Sequence, residues 1–261
     1  MAAWITRVVV RLQLLRYVTG MRLHPLTHDP AHLAARFSDR SLFVRTMSLM
    51  VALLTCLVAT TVQARHHSKA SHDGQTGEFD YYLLSLSWAP TYCLTHGDDG
   101  AECSGKGYGF VLHGLWPQYD SGGYPERCQT ELELSAEAAA KGRTIYPSER
   151  LMTHEWQQHG TCSGLSALDY FRAADRSTAA IRVPAELDAP KSDATLTVAQ
   201  LLALFQKANP GLPQNALAVA CNRAQVSEIR VCLNKDLSVR SCGRGVHSSC
   251  PNVPLAIPAS R

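Results

Sequence analysis

HEWQQHGTC, residues 154–162, and FVLHGLWPQ, residues 110–118, decide how this chain is read. The first sets two histidines around a glutamate and ends in a cysteine. It looks like the zinc-protease pattern H-E-x-x-H, whose histidines stand at i and i+4 on one helix face. Here His154 and His159 are five apart. Five residues turn a helix through roughly 500°, leaving the second ring about 140° from the first. A regular helix cannot aim both at one ion, and no third ligand stands at a familiar zinc spacing, so no metal is expected. Glu155 and His159 are i, i+4 and share a face. A carboxylate beside an imidazole raises its pKa and fixes its ring, which suits acid–base work near neutral pH. His154 and Gln158 form a second such pair on the adjacent face. For this segment alone, a surface helix with two solvated histidines is the plain alternative. FVLHGLWPQ puts His113 inside an apolar strand, with Gly114 directly after it and Trp116-Pro117 close behind; a core histidine is the plain alternative there.

The chain has 261 residues, enough for one large domain or two small ones, and 46% hydrophobic residues can fill its core. MSLMVALLTCLVATTVQA (47–64) follows Arg45. It is too short and too lightly flanked to span a membrane, and Val62-Gln63-Ala64 is a small-residue cleavage pattern. It reads as a signal peptide cut near Ala64, with a lipid-anchored or uncleaved segment as the alternative. Residues 1–46 carry seven Arg and no Lys. They read as an N-terminal extension ahead of a start at Met47, or as a genuine basic leader. Cleavage removes Cys56, so nine cysteines become eight, which allows four disulfides with none left over in an oxidising compartment. It also removes seven Arg and two Asp, taking the formal net charge from +3 to −2. A mature chain of that charge has no global pull toward polyanions. A nucleic acid would have to be held by a local site. Residues 65–78 read as a polar linker containing His66, His67 and His72.

FDYYLLSLSWAP (79–90) and YGFVLHGLWP (108–117) are rich in aromatic and branched residues and end at Pro, as strands do. QVSEIRVCLNK (225–235) alternates with period two, and DLSVRSC (236–242) answers it as a hairpin turning near Asn234–Asp236. SERLMTHEWQQH (148–159) reads as a helix capped by Ser148. SALDYFRAADRSTAAI (166–181) and TVAQLLALFQKANP (197–210) read as two more. Strands and helices mix without βαβ regularity, which predicts an α+β fold around a mainly antiparallel sheet with flanking helices.

Together, FVLHGLWP and HEWQQHGTC resemble the two active-site segments of the ribonuclease T2 family. SLSWAPTYC (85–93) and the cysteine count fit the same family, and the resemblance runs over residues 79–250. It implies a disulfide-stapled, ribonuclease T2-like domain over 79–261. It also implies a secreted or periplasmic endoribonuclease that needs no metal or cofactor and acts as a monomer on RNA, not on DNA or at a membrane. The implied reaction has two steps. The ribose 2′-OH attacks the adjacent phosphorus to give a 2′,3′-cyclic phosphate, and water then opens it to a 3′-phosphate. His113 and His159 match the acid–base pair, with His159 as base in the first step. His154 matches a phosphate-holding histidine, and Glu155 the acid that supports the phosphorane. Gln158 stands on the phosphate side where the family often has Lys. Gln158→Lys is therefore expected to raise kcat, unless Gln158 faces solvent or an arginine from elsewhere fills the role. Trp116 and Tyr124 match base-stacking positions, and Gln118 a base-discriminating one, where an amide implies broad preference. The implied disulfides are Cys93–Cys103, Cys128–Cys162, Cys221–Cys250 and Cys232–Cys242. Two rivals stay open: a secreted metallohydrolase, which a chelator would inactivate, and an RNA-binding or toxin-like module that kept the fold and lost the activity.

Overall fold

The structure, a computed structural model, describes residues 74–129 and 132–260. The extension 1–46, the segment 47–64 and the linker histidines lie outside the described residues. In chain order the elements are β1 (Tyr81–Trp88), α1 (Ala89–Cys93), α2 (Gly100–Cys103), β2 (Phe110–Gln118), α3 (Ala136–Arg143), α4 (Glu149–Gln158), α5 (Ala167–Ala180), β3 (Ala194–Leu196), α6 (Val198–Ala208), β4 (Leu217–Asn222), β5 (Gln225–Leu233) and β6 (Leu255–Ile257). Among the described residues no helix is long and apolar enough to cross a membrane.

The six strands form one sheet in the order β2-β1-β5-β6-β3, with β4 also paired to β5. Every pairing of these strands is antiparallel except the short parallel contact of β5 with β6. Period-two alternation sorts β1 into two faces. Tyr82, Leu84, Leu86 and Trp88 join Leu112, Leu115, Ile229 and Val231 in the main core, which Met152, Trp156, Tyr170, Phe171, Leu201 and Phe205 cover from α4, α5 and α6. Tyr81 and Leu83 point the other way, toward Cys232 and Trp116. The helices after α1 start at side-chain caps that satisfy one of their first free N–H groups. Ser148 accepts from Leu151 N–H, Ser166 from Asp169 N–H, and Thr197 forms a capping box with Gln200.

β2 carries one residue more than β1 can pair. Leu112 faces Leu86 and Gly114 faces Ser85, so His113 is the extra residue of a β-bulge. All four disulfides pair as the family resemblance implies: Cys93–Cys103, Cys128–Cys162, Cys221–Cys250 and Cys232–Cys242.

Three local expectations change. DLSVRSC does not form a strand opposite β5. The chain does turn back near Asn234–Asp236, with Asn234 N–H donating to Ser238 C=O and Arg240 N–H to Cys232 C=O, but Leu233 and Val239 make a single bridge there and no ladder. The long antiparallel partners of β5 are β1 and β4, and β4 and β5 join through a tight turn at Arg223, φ 56°. The polar stretch before Phe79 is not loose over its described end. Thr76 Oγ1 donates to Thr161 C=O, and Gly77 N–H donates to Cys162 C=O. These bonds tie it beside the end of α4.

Candidate active site

The bulge, α4 and β5 bring their functional side chains onto one side of the sheet. The His113 side chain is 31% exposed. Its Nδ1 lies 2.9 Å from Glu228 Oε1, and its Nε2 lies 3.7 Å from Glu155 Oε1. Glu155 is 1% exposed, and its Oε2 accepts a 2.6 Å hydrogen bond from Trp116 Nε1. Gly114 makes this packing possible. A Cβ at Gly114 would stand 2.0 Å from Glu155 Oε2 and 2.2 Å from Trp116 Nε1.

Trp116 is the hub of the site. Its ring lies 5.0 Å from that of His113 and 5.3 Å from that of His159, and the Arg230 guanidinium sits 5.6 Å from its centre. His159 ends α4 as its C-cap, with its N–H bonded to Glu155 C=O. Its Nδ1 is buried and has no protein partner. The exposed Tyr124 ring lies 5.8 Å from His159, and His154 is exposed one turn before Gln158. A cavity lined by Ser87, Tyr92, Val111, Ser148 and Leu151 opens beside His113 and His154. Among the described residues no three His, Cys, Asp or Glu side chains cluster to hold a metal ion.

The electrostatics split the two half-buried histidines. Burial pushes His159 down to about 3, and the neighbouring His154 and His113 push the same way. Burial also works against charge on His113, yet the Glu228 hydrogen bond and the Glu155 and Glu228 charges outweigh it and raise its pKa. Glu155 rises to about 7 because burial outweighs His113 and the Trp116 N–H. Glu228 is held down to about 2, because His113 and Arg230 outweigh its burial.

Two expectations are corrected here. The i, i+4 pairing of Glu155 with His159 does not raise the imidazole pKa. The carboxylate turns to Trp116 and His113, so His159 is left in apolar surroundings. Gln118 does not face an open base site. It is 6% exposed and its Nε2 donates to Pro117 C=O. Gln158 is engaged rather than free. Its Oε1 accepts from Arg127 Nε at 2.9 Å, and its C=O accepts from Arg127 N–H at 2.9 Å. Arg127 holds a left-handed φ of 54°, a strained conformation for a residue with a side chain. Its charge contributes to lowering the His154 pKa.

Glu228, Arg230, Arg127 and Gly114 are the residues that sequence reasoning missed. Glu228 and Arg230 left one usable signal, two opposite charges spaced two apart on the same face of a strand.

A mostly antiparallel α+β body, four disulfides and two histidines gathered with a buried glutamate around one tryptophan define the class: a disulfide-stapled protein with a two-histidine, one-glutamate site. Residues 79–242 match the Ribonuclease T2 family, and the chain belongs to that family. It is 45% identical over 129 residues to a ribonuclease of Aeromonas hydrophila, covering 49% of this chain and 56% of that protein. A probable ribonuclease of Haemophilus influenzae is 30% identical over 188 residues, covering 66% of this chain and 64% of its own. The chain thus spans less than two thirds of either relative. In fold it is similar to an RNase-related protein from Calystegia sepium, with a TM-score of 0.58 at 23% identity over 70% of this chain and 99% of that one.

Proposed function

We propose that the protein is a metal-independent endoribonuclease. In this reading it cuts single-stranded RNA to a 2′,3′-cyclic phosphate and then to a 3′-phosphate. One observation carries the proposal: two histidines meet at one tryptophan with proton affinities driven apart. Groups separated in this way take the acid and base roles. His159, neutral at working pH, takes the 2′-OH proton. His113, held charged beside two carboxylates, protonates the leaving 5′-oxygen. The roles reverse for ring opening. Glu155 and the exposed His154 flank the phosphorane. Tyr124 and the accessible part of Trp116 offer ring faces to a base, and the cavity beside His113 gives room for the neighbouring nucleotide. The four disulfides support a secreted or periplasmic location, with residues 47–64 as the signal peptide, and the protein acts as a monomer in this reading. Digestion of RNA in excess EDTA should proceed undiminished and leave 3′-phosphate ends, while DNA stays intact. Loss of activity with chelator and its return with zinc would overturn the proposal.

On the phosphate side, Arg127 is the cation that Gln158 does not supply. The Gln158 carbonyl oxygens hold it beside His154. A charge-assisted bond from Arg127 to phosphate exceeds a neutral one by about 1 kcal/mol, or several-fold in rate. Arg127→Ala should therefore lower kcat on a dinucleotide several-fold. Gln158→Lys should raise kcat only in the Arg127→Ala background, because in the native protein the new cation repels Arg127. An Arg127→Ala enzyme with native kcat at low and moderate salt would rule this out.

A further inference from the structure

Glu228 and Arg230 reach the site across a neighbouring strand. Glu228 is paired with Ser87 of β1, and Arg230 with Ser85. Strands lie about 4.8 Å apart, so β5 is roughly 10 Å from β2. The small serines leave the surface of β1 low enough for long side chains to lie over it. Glu228 crosses that gap. Its Oε1 meets His113 Nδ1 at 2.9 Å, and its Oε2 accepts from Arg230 Nε and Nη2, each at 2.7 Å. Each carboxylate oxygen is thus taken by a different partner, at 12% side-chain exposure.

We propose that Glu228, clamped by Arg230, is the positioning residue of His113: it fixes the ring through Nδ1 and presents Nε2 to the leaving oxygen. An ionised carboxylate only accepts, so Nδ1 carries a proton and Nε2 is the nitrogen that exchanges. Without that hold, a ring on a bulge, a third exposed, is free to turn about its side-chain torsions. The titratable and charged groups facing His113 are Glu228 and Arg230 from β5, Glu155, His154 and His159 from α4 and its cap, and Glu102 from α2. Of these, only Glu228 bonds the ring. A raised pKa keeps His113 charged until pH climbs past it, so loss of Glu228 takes the acid away from the alkaline side first. This inference rests on the reading of His113 as general acid.

The test uses two substrates. A dinucleotide has a poor leaving group and needs the acid. A uridine 3′-(4-nitrophenyl) phosphate has a good one and needs only the base. Glu228→Gln should lower kcat on the dinucleotide about tenfold or more above neutral pH, as expected when a proton donor is weakened. KM should change little, and the alkaline limb of the profile should move to lower pH. The nitrophenyl ester should be cut at the native rate. Equal loss on both substrates with an unmoved profile would mean a structural role only and would overturn the proposal. If Glu228→Gln leaves Arg230 unpaired and does not fold, nitrogen-15 shifts of the native enzyme decide. A protonated Nδ1 in the neutral His113 ring supports the proposal, and the opposite tautomer overturns it. If the native enzyme cuts neither substrate, the ribonuclease reading itself fails.

Discussion

His159→Phe should lower kcat on RNA by about 10²–10⁴-fold, the usual loss when one proton-transfer group is removed. It does so without weakening the fold. The His159 ring already lies among aromatic neighbours, and its Nδ1 is buried without a partner. Phenylalanine keeps the ring and removes a polar atom that costs free energy to bury unpaired. The native ring has its pKa pushed down to about 3 from an ordinary value of 6.5. Between those values the unfolded chain binds the proton that the folded chain refuses, so native stability drops as pH falls through that window. The Phe variant lacks this penalty. Its Tm should match or exceed the native one at pH 7 and gain on it as pH falls from about 6.5. His113→Phe should lose as much activity and behave oppositely in stability, since it strips Glu228 and Glu155 of a favourable charge. Kinetics on a dinucleotide with melting curves from pH 4 to 8 check both. Two fully active, normally folded variants would remove these histidines from the chemistry.

Gly114→Ala should be the most damaging single-carbon change in the site. The added Cβ collides with Glu155 Oε2, Glu155 Cδ and Trp116 Nε1, all nearer than 3.0 Å. None is the end of a free side chain: the carboxylate is buried and the indole is bonded to it. Overpacking costs about 1–3 kcal/mol, and a buried polar group pushed off its partner costs about 1–3 more. At about 2–4 °C per kcal/mol for a domain of this size, Tm falls by roughly 10 °C. Activity falls further than stability, because Glu155 and Trp116 set the places of both histidines. In a Glu155→Ala background the same substitution should destabilise less, since half of the collision is gone. A coupling near zero in that double-mutant cycle would show that the strand shifts instead.

The legible parts of the chain are those where local chemistry and tertiary structure agree. α4 is readable because Ser148 caps it and its apolar positions recur at helical spacing. The sheet face of β1 is readable because its large residues alternate. β4 is not, since LAVACN is short, small and apolar, and nothing local separates a buried strand from a helix turn. The hairpin after β5 is legible in its turn, which backbone bonds from Asn234 to Ser238 and from Arg240 to Cys232 close, but not in its extent, since one bridge and a disulfide replace a paired strand. In the site, the two motifs reveal His113, Glu155 and His159, but helical spacing names the wrong partner for Glu155. That carboxylate answers to Trp116 and His113 on β2, which are distant in sequence. Glu228 needs knowledge of strand order before it has any meaning.

The bulge at His113 separates what the fold requires from what the chemistry requires. Removing that one residue would leave Leu112 and Leu115 two apart on a regular strand, both still facing the core opposite Leu86 and Leu84. Such a chain would keep its register and its staples, and lose the histidine proposed as its acid. A relative with a one-codon deletion there should still fold, somewhat weakened by the two carboxylates left without their cation, as a pseudoenzyme. Anyone grafting this site onto an idealised sheet would have to carry the irregularity along with the histidine.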